Sequence, residues 1–288
     1  MPPVAIVTDS SFYAPAELAA ARDVHVVSLY VQEGDRQYRE IEIDDFGPLY
    51  ERLRTATDRT TTSQPSIGDF LAVYEPLLAA GRDIVSIHLA GGISGTVQTA
   101  RQAAHEALRD RHDRRIEVID SVTGCGALGY VALAAAAVAG DDGDFVDVVA
   151  RAAEAIEKVR LWFAIDTLEY LRRGGRIGAA QAWIGGALQI KPILTLRNEI
   201  TPVERVRTSA RAFERLVDFL RQQQADGADG WIVQHVRAAD VAARLVDSGH
   251  EIFGRPPVFV NEIGPVIGVH VGPGLLGVGG GPARLLEP

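Results

Sequence analysis

The stretch Asp83-Ile-Val-Ser-Ile-His-Leu-Ala-Gly-Gly-Ile-Ser-Gly-Thr-Val-Gln-Thr-Ala100 passes from an apolar strand pattern through glycines into a helical pattern. It predicts a buried strand, a tight turn and a helix. The glycines would let backbone N–H groups approach a ligand closely, and Ser94, Gly95 and Thr96 lie at the helix N-terminus, where the helix dipole favours an anion. The stretch therefore predicts a carboxylate or phosphate site. The alternative is a simple turn in which Ser94 caps the helix.

The length and composition of the chain point to a folded protein of two domains. With 288 residues it exceeds the usual size of a single core. Hydrophobic residues make up 47% of the chain, and no long charged or low-complexity block interrupts it. The net charge of −9 argues against a nucleic-acid partner.

The termini and the cysteine content bear on location and cofactors. The N-terminus lacks the basic start and apolar run of a signal peptide, and no apolar segment reaches spanning length without charge. We therefore expect a cytoplasmic protein with no integral membrane association. Cys125 is the single cysteine, so it can form no intramolecular disulfide. We expect it to be a small buried residue, and we expect neither a metal site nor a cofactor.

Polar residues follow three predicted strands. Asp9-Ser10 ends the first strand, Ser94 follows the strand quoted above, and Asp120-Ser121 ends a third. Strands that alternate with helices predict a parallel, doubly wound sheet, whose carboxyl edge would bring these residues together. We expect Asp9 and Asp120 to fix loops, because a carboxylate would repel a bound anion.

The predicted fold is α/β with two domains. Residues 1–143 are expected to form a doubly wound parallel-sheet domain with a small hairpin insertion at about 29–43. Residues 144–288 are expected to form an α+β domain with a mixed sheet, which includes a short helix at 179–188 and a strand at 266–270.

Thr62 and Ser63 are candidate ligand residues in a polar loop at 60–66. The following Gln64-Pro65 pair keeps the backbone extended, which would hold both hydroxyls on a stiff segment. The alternative is a cluster of turn and cap residues.

Arg207 and His270 are candidates from the second half. Arg207 either pairs with Glu204 or Asp218 at the surface or offers its fixed fork of donors to a buried carboxylate. His270 is either a core residue or a ligand contact, and Gly272 beside it would permit close approach to its ring.

Arg176 belongs to a basic segment at 172–176 that surrounds Gly174-Gly175. It is either a solvated helix end, where arginine complements the dipole, or a docking residue for a protein partner.

Eight segments together resemble the DegV family, bacterial proteins that bind a fatty acid. They occur in the family's order and span nearly the whole chain: Val7-Thr-Asp-Ser10, Thr62-Ser-Gln-Pro-Ser66, Ile93-Ser-Gly-Thr96, Val118-Ile-Asp-Ser121, Leu168-Glu-Tyr-Leu-Arg-Arg-Gly-Gly-Arg-Ile177, Lys191-Pro-Ile193, Val206-Arg-Thr208 and Ile263-Gly-Pro-Val-Ile-Gly-Val-His-Val-Gly-Pro-Gly274. Ala90-Gly91 stands where the family usually has two serines.

The resemblance implies that a long-chain fatty acid lies in an apolar tunnel between the two domains. Its carboxylate would contact residues that match Thr62, Ser94, Arg207 and His270. The resemblance also implies a carrier without catalysis of its own, which presents the fatty acid to a separate, cognate fatty acid kinase, with Arg176 as a candidate docking residue.

Two other functions compete with this interpretation. A serine-dependent acyl hydrolase would use Ser94 and His270, but the nucleophile elbow requires glycine two residues after the serine, where this chain has Thr96. A sugar or dihydroxyacetone kinase subunit would need a polar pocket. The apolar residues that follow the Gly-Gly-Arg segment suit an acyl chain better: Trp183, Ile184, Leu188 and Ile190.

Overall fold

The computed structural model describes residues 3–55, 60–184 and 190–288. In the first half the strands are β1 (Val4–Asp9), β2 (Val24–Val27), β3 (Tyr30–Glu33), β4 (Arg36–Arg39), β5 (Thr60–Ser63), β6 (Asp83–His88) and β7 (Ile116–Asp120). The helices are α1 (Ala16–Ala21), α2 (Gly47–Thr55), α3 (Ile67–Ala79), α4 (Thr96–Ala107), α5 (Cys125–Gly140) and α6 (Phe145–Lys158). Short 3-10 turns lie at Ser10–Phe12 and Glu40–Glu42.

In the second half the strands are β8 (Arg160–Ala164), β9 (Lys191–Arg197), β10 (Glu199–Val206), β11 (Gly230–His235), β12 (Phe259–Glu262) and β13 (Leu276–Gly281). The helices are α7 (Glu169–Arg173), α8 (Ser209–Ala225), α9 (Ala239–Phe253) and α10 (Pro265–Val271), with 3-10 turns at Gly178–Trp183 and Ala283–Leu286. The predicted helix at 179–188 lies partly outside the described residues. Leu188 is among the residues that are not described.

The first sheet is parallel throughout, with the order β2-β1-β6-β7. Every residue of β1 and β6 is buried, because helices cover both faces: α3 and α4 pack on one side and α5 and α6 on the other. The expected doubly wound domain is confirmed.

The predicted hairpin insertion is part of a second, antiparallel sheet with the order β4-β3-β5. The prediction of a loop at Thr60–Ser63 is wrong, because these residues form β5, in which Thr62 pairs with Val31 and Ser63 with Tyr30. β-Branched threonines favour an extended backbone, and β3 offers an edge on which they pair.

The third sheet has the order β10-β9-β8-β13-β11-β12 and is antiparallel except for the β11–β12 pair. The expected mixed sheet is therefore confirmed. α8 and α9 cover one face. The other face packs toward α5 and the first domain, in a core that draws on both halves of the chain.

The last elements differ from the sequence prediction. Residues 266–270 were expected on a strand but belong to α10, which begins with Pro265 and ends where Gly272 takes a φ of 77°. All but two residues of α10 are buried, so apolar alternation does not separate helix from strand here. The central strand β13 has the sequence Leu-Gly-Val-Gly-Gly-Gly, and its glycines permit close approach of β8 and β11.

The domain boundary at residue 143 stays a prediction. Helix α6, which follows it, packs against α5 and β6 of the first domain. The chain reaches the third sheet with β8, directly after α6.

Candidate functional site

A cavity of about 240 Å³ lies between the two halves of the molecule. Its apolar wall combines residues of both halves: Leu29, Leu89, Ile93, Leu161, Phe163, Leu171, Leu196, Ile200, Ile263, Val266, Ile267, Val271, Leu275 and Gly277. Its polar side chains are Thr62, Ser63, Gln64, Ser94, Cys125, Arg176, Gln234 and His270. The predicted contacts Thr62, Ser63, Ser94 and His270 are thus brought to one cavity, although they are far apart in the chain.

Thr62 and His270 form the first polar pair of the cavity. Thr62 Oγ1 and His270 Nε2 are 2.7 Å apart. Burial, together with the positive charge of Arg176, lowers the pKa of His270 from 6.5 to about 4. The imidazole is therefore neutral at physiological pH.

The tautomer of His270 follows from its surroundings. Its Nδ1 is buried without a hydrogen-bond partner among the described residues, and it lies against Gly174, where an added Cβ would overlap the ring. A bare nitrogen is less costly there than an orphaned N–H donor. We assign the proton to Nε2, which then donates to Thr62 Oγ1 and leaves the Thr62 hydroxyl free to donate into the cavity.

Ser94 and Thr96 form the second polar pair. Their hydroxyl oxygens are 2.8 Å apart, and the Thr96 N–H donates to Ser94 Oγ at 3.3 Å. When the Thr96 hydroxyl also donates to Ser94, the proton of Ser94 is available to an acceptor in the cavity. Thr96 was predicted as a ligand contact, but it is fully buried and reaches the cavity only through Ser94. The hydroxyl groups of Thr62 and Ser94 therefore line one cavity, and both can donate to a ligand.

The glycines of the loop have a different role from the predicted one. The N–H of Gly91 donates to the carboxylate of Asp120, and the N–H of Gly92 donates to Asn198 Oδ1. An added Cβ would overlap Asp120 at Gly91, Asn198 at Gly92 and the Gln64 side chain at Gly95. The idea that these glycines open their backbone to a ligand is wrong at Gly91 and Gly92, because the protein's own side chains occupy the space and the donors.

The loop is fixed by carboxylates, as expected. Asp9 accepts from the N–H groups of Ser11 and Leu89, and Asp120 accepts from Gly91 and Val122. These bonds set the position of Ser94 at the end of the loop. Asn198, in the turn between β9 and β10, was not identified from the sequence, and no local pattern shows that it reaches Gly92.

Arg176 lies at the cavity, in a loop after α7. Its side chain is exposed, with Nη1 donating to the carbonyl of Gly174 at 2.7 Å and Nε donating to the carbonyl of Ile93 at 3.3 Å. It is the single cationic side chain among the residues that line the cavity in the described part of the chain. Its role in docking stays a prediction, and its position also sets a positive charge beside His270.

Besides Thr96, three other predicted contacts lie outside the cavity lining. Arg207 is exposed in the segment after β10, and its suggested partners Glu204 and Asp218 both accept from Arg215 instead. Gly95 caps α4, and Gly272 is buried against the ring of Tyr170. A direct ligand contact of these three residues stays a prediction.

Cys125 and Gln234 add polar atoms to the cavity that the sequence did not mark as part of a site. Burial raises the pKa of the Cys125 thiol, so the thiol stays protonated. The Gln234 amide already donates to the carbonyl of Tyr13 and accepts from the N–H of Gly126. The Gln234 amide is therefore used within the protein, whereas the hydroxyls of Thr62, Ser63 and Ser94 line the cavity.

Residues 3–281 match a family model described as an uncharacterised protein of the DegV family. Protein DegV of Bacillus subtilis is 35% identical over 279 residues, which cover 96% of this chain and 98% of the relative. The chain belongs to the DegV family. A DegV domain-containing protein of Streptomyces coelicolor is 39% identical over 278 residues, covering 96% of this chain and 97% of the relative.

Solved structures of DegV proteins share the fold. DegV of Bacillus subtilis, a fatty acid binding protein, superposes with a TM-score of 0.85 at 34% identity, covering 97% of this chain and 99% of that one. The fatty-acid-binding DegV family protein of Thermus thermophilus gives a TM-score of 0.86 at 32% identity, with the same coverage.

The geometry does not favour the hydrolase alternative. Ser94 is hydrogen-bonded to Thr96, whereas His270 is hydrogen-bonded to Thr62, so serine and histidine belong to separate pairs. A nucleophile and its base require a direct hydrogen bond or one through a single water.

The described part of this DegV-family chain lacks two further features. No helix in that part combines the length and hydrophobicity needed to cross a bilayer. Nor does that part contain a group of three or more histidine, cysteine, aspartate or glutamate side chains arranged to hold a metal ion.

Proposed function

We propose that this chain binds a long-chain fatty acid in the interdomain cavity and presents its carboxylate to a separate, cognate fatty acid kinase in the cytoplasm. The observation that carries the fatty-acid part of the proposal is that the hydroxyl groups of Thr62 and Ser94 lie in one cavity whose wall is largely apolar. The fatty-acid-binding DegV structures of similar fold support the binding of a fatty acid.

The chemistry of the cavity fits a carboxylate head group. Hydroxyl donors form charge-assisted hydrogen bonds with an anion, and Arg176 adds a positive charge at the same cavity. No aspartate or glutamate side chain lines the cavity in the described part of the chain, so a bound carboxylate meets no direct repulsion.

The apolar wall supplies most of the affinity in this proposal. Burial of an acyl chain gains up to about 0.8 kcal/mol per methylene, or roughly 11 kcal/mol for about 14 methylenes, before ordering costs of several kcal/mol. Head-group hydrogen bonds then set orientation and distinguish acid from alcohol or ester.

Solvent extraction of purified protein, followed by mass spectrometry, tests the binding. We expect a long-chain fatty acid to co-purify with the protein, and delipidated protein to bind palmitate or oleate more tightly than the alcohol of the same length. Protein that is reproducibly free of lipid and binds neither acid would refute the proposal. Equal affinity for acid and alcohol would refute the head-group assignment.

The carrier and hydrolase alternatives differ in covalent chemistry. We expect wild-type protein to hydrolyse no acyl ester and to resist labelling by a fluorophosphonate. Labelling at Ser94, lost together with esterase activity in Ser94→Ala, would establish a hydrolase in place of a carrier.

A further inference from the structure

Helix α10 supplies one wall of the cavity, through Val266, Ile267, His270 and Val271. It belongs to the second half of the chain, but its first turn is held by side chains from the first half. The position of this helix decides both where His270 meets Thr62 and how the apolar wall is shaped.

Glu40 is the centre of these contacts. The residue is 4% exposed, and Oε1 accepts from the N–H of Val266 at 2.8 Å and from the hydroxyl of Tyr13 at 2.6 Å. The other oxygen, Oε2, is hydrogen-bonded to the hydroxyl of Ser10. The side chain therefore joins the segment between β4 and α2 to the start of α10.

Two tyrosines complete the arrangement. The Tyr13 oxygen accepts from the N–H of Ile267 at 3.2 Å, so Glu40 and Tyr13 satisfy two successive N–H groups at the start of α10. Tyr50 donates to the carbonyl of Ile263 at 2.7 Å, and its ring lies against Gly268. Buried hydrogen bonds of this kind fix the position of a helix along its axis and its rotation about that axis.

We propose that Glu40 is a positioning residue for the fatty-acid site, which holds α10 so that His270 stays against Thr62. His270 is four residues after Val266 and hence about 6 Å along the helix axis, so a shift at Glu40 is carried directly to the imidazole. This inference rests on the proposed function for its ligand readout, but its geometric core can be tested without ligand.

Glu40→Gln provides a matched control, because it keeps the acceptor for α10. The amide oxygen can accept from Val266 and Tyr13, and only the bond to Ser10 changes, since the amide nitrogen donates and the Ser10 hydroxyl loses its acceptor. Glu40→Ala removes the acceptor and leaves the Val266 N–H unpaired. The two variants thus separate the hydrogen bonds to α10 from the charge of the carboxylate.

The first measurement is the NMR titration of the His270 ring in ligand-free protein. We expect a pKa of about 4 in wild type and in Glu40→Gln, and a value closer to the ordinary 6.5 in Glu40→Ala, because the released ring gains access to water. An unchanged His270 titration in a folded Glu40→Ala variant would overturn the proposal, and so would a Glu40→Gln variant that behaves like Glu40→Ala.

The second measurement is the ratio of affinities for palmitate and hexadecanol. We expect Glu40→Ala to reduce this ratio about tenfold and Glu40→Gln to preserve it, since one well-placed hydrogen bond to an anion corresponds to about that factor. An unreduced ratio in Glu40→Ala would overturn the proposal. A wild-type protein that binds no fatty acid would refute the proposed function, while the His270 titration would still decide the role of Glu40.

If Glu40→Ala does not fold, Tyr13→Phe takes its place in both measurements. It removes the acceptor for Ile267 and one donor to Glu40 but keeps the ring. We expect a smaller change in the same direction, and a variant identical to wild type would overturn the proposal.

Discussion

Two histidines, His88 and His270, show what makes a polar cluster a binding site in this molecule. His88 has Nδ1 3.0 Å from Asp9 and Nε2 2.7 Å from Ser86, whose hydroxyl is 2.7 Å from that of Tyr74. These four side chains are fully buried, and every one of them has a partner. Ser86, His88 and Asp9 are thus linked by successive hydrogen bonds, and together with Tyr74 they form a sealed structural network.

His270 differs in both respects. One ring nitrogen bonds Thr62, the other has no partner among the described residues, and the ring lines the cavity. Residue types alone therefore do not identify a site. Access to a cavity separates His270 from His88, whose network is fully buried.

The largest expected effect comes from opening the sealed network. Asp9→Ala would leave donors from Ser11, His88 and Leu89 unpaired in the interior. We expect it to lower the free energy of unfolding by about 3 to 5 kcal/mol in urea denaturation. Thr62→Val, the matched change at the cavity, is expected to cost less than about 1.5 kcal/mol. Equal losses of unfolding free energy in Asp9→Ala and Thr62→Val would contradict the distinction between the sealed network and the cavity.

The next effect concerns pH and Glu40, the buried group that accepts from the first turn of α10. Burial raises the pKa of Glu40 from 4.5 to about 7. The folded protein therefore binds the proton more tightly than the unfolded chain, so this stabilisation is complete below pH 4.5 and is lost as the pH rises through about 7. We expect a loss of roughly 3 kcal/mol between about pH 5 and about pH 8.

Comparison with Glu40→Gln isolates this contribution, because the variant cannot ionise there. The titratable groups facing Glu40 are Asp9, Tyr13, Tyr50 and Cys125, and burial raises the pKa of both tyrosines and of the thiol, which keeps them uncharged in this range. His270 acts on the acid side, where its lowered pKa makes stability fall as the pH drops from 6.5 through about 4. Parallel pH profiles for wild type and Glu40→Gln would contradict this assignment.

Substitution of Ser94 and of Ser86 is expected to affect fatty-acid affinity differently. Ser94→Ala should remove one charge-assisted hydrogen bond to the ligand, which costs roughly 1.5 to 3 kcal/mol, or about ten- to a hundredfold in fatty-acid affinity. Ser86→Ala, in the sealed network, should reduce stability and leave the affinity of the folded protein unchanged. Isothermal titration with palmitate measures the affinity of both variants. A larger loss of affinity in Ser86→Ala than in Ser94→Ala would show that the head group lies elsewhere.

The smallest expected effect on binding belongs to Arg176. Because its guanidinium is exposed and screened, Arg176→Ala should change fatty-acid affinity by less than about threefold. We expect the same variant to slow phosphorylation of the bound fatty acid by the cognate kinase, with a marked salt dependence in the wild type. Arg172→Ala, which removes a surface pair with Glu169, is the control. Equal phosphorylation on wild type and Arg176→Ala would exclude the docking role.

Much of the fold could be predicted from the sequence because its strands and helices alternate and its buried strands are continuous apolar runs. The errors fall where that signal is weak. The polar threonines of β5 are typical of a loop, and only their pairing with β3 makes them a strand. Helix α10 is apolar on nearly every face, so its sequence shows no helical period. The glycines of β13 disfavour a strand locally, and only the close approach of the neighbouring strands explains why β13 is one.

Part of the cavity lining could also be predicted from the sequence. Thr62, Ser94 and His270 are brought to one cavity, as the family resemblance implied, whereas Arg207 lies at the surface. What could not be predicted is which groups are already used. The N–H groups of Gly91 and Gly92 are taken by side chains distant in sequence, and Glu40 looks like any solvated glutamate until α10 packs onto it.

The most direct test of the central claim is a crystal structure of the protein with bound palmitate. We expect a carboxylate oxygen within about 2.5 to 3.0 Å of both Thr62 Oγ1 and Ser94 Oγ, with the acyl chain along the apolar wall and no ligand contact at His88. A carboxylate beside Cys125 and Gln234, or an acyl chain outside the cavity, would contradict it.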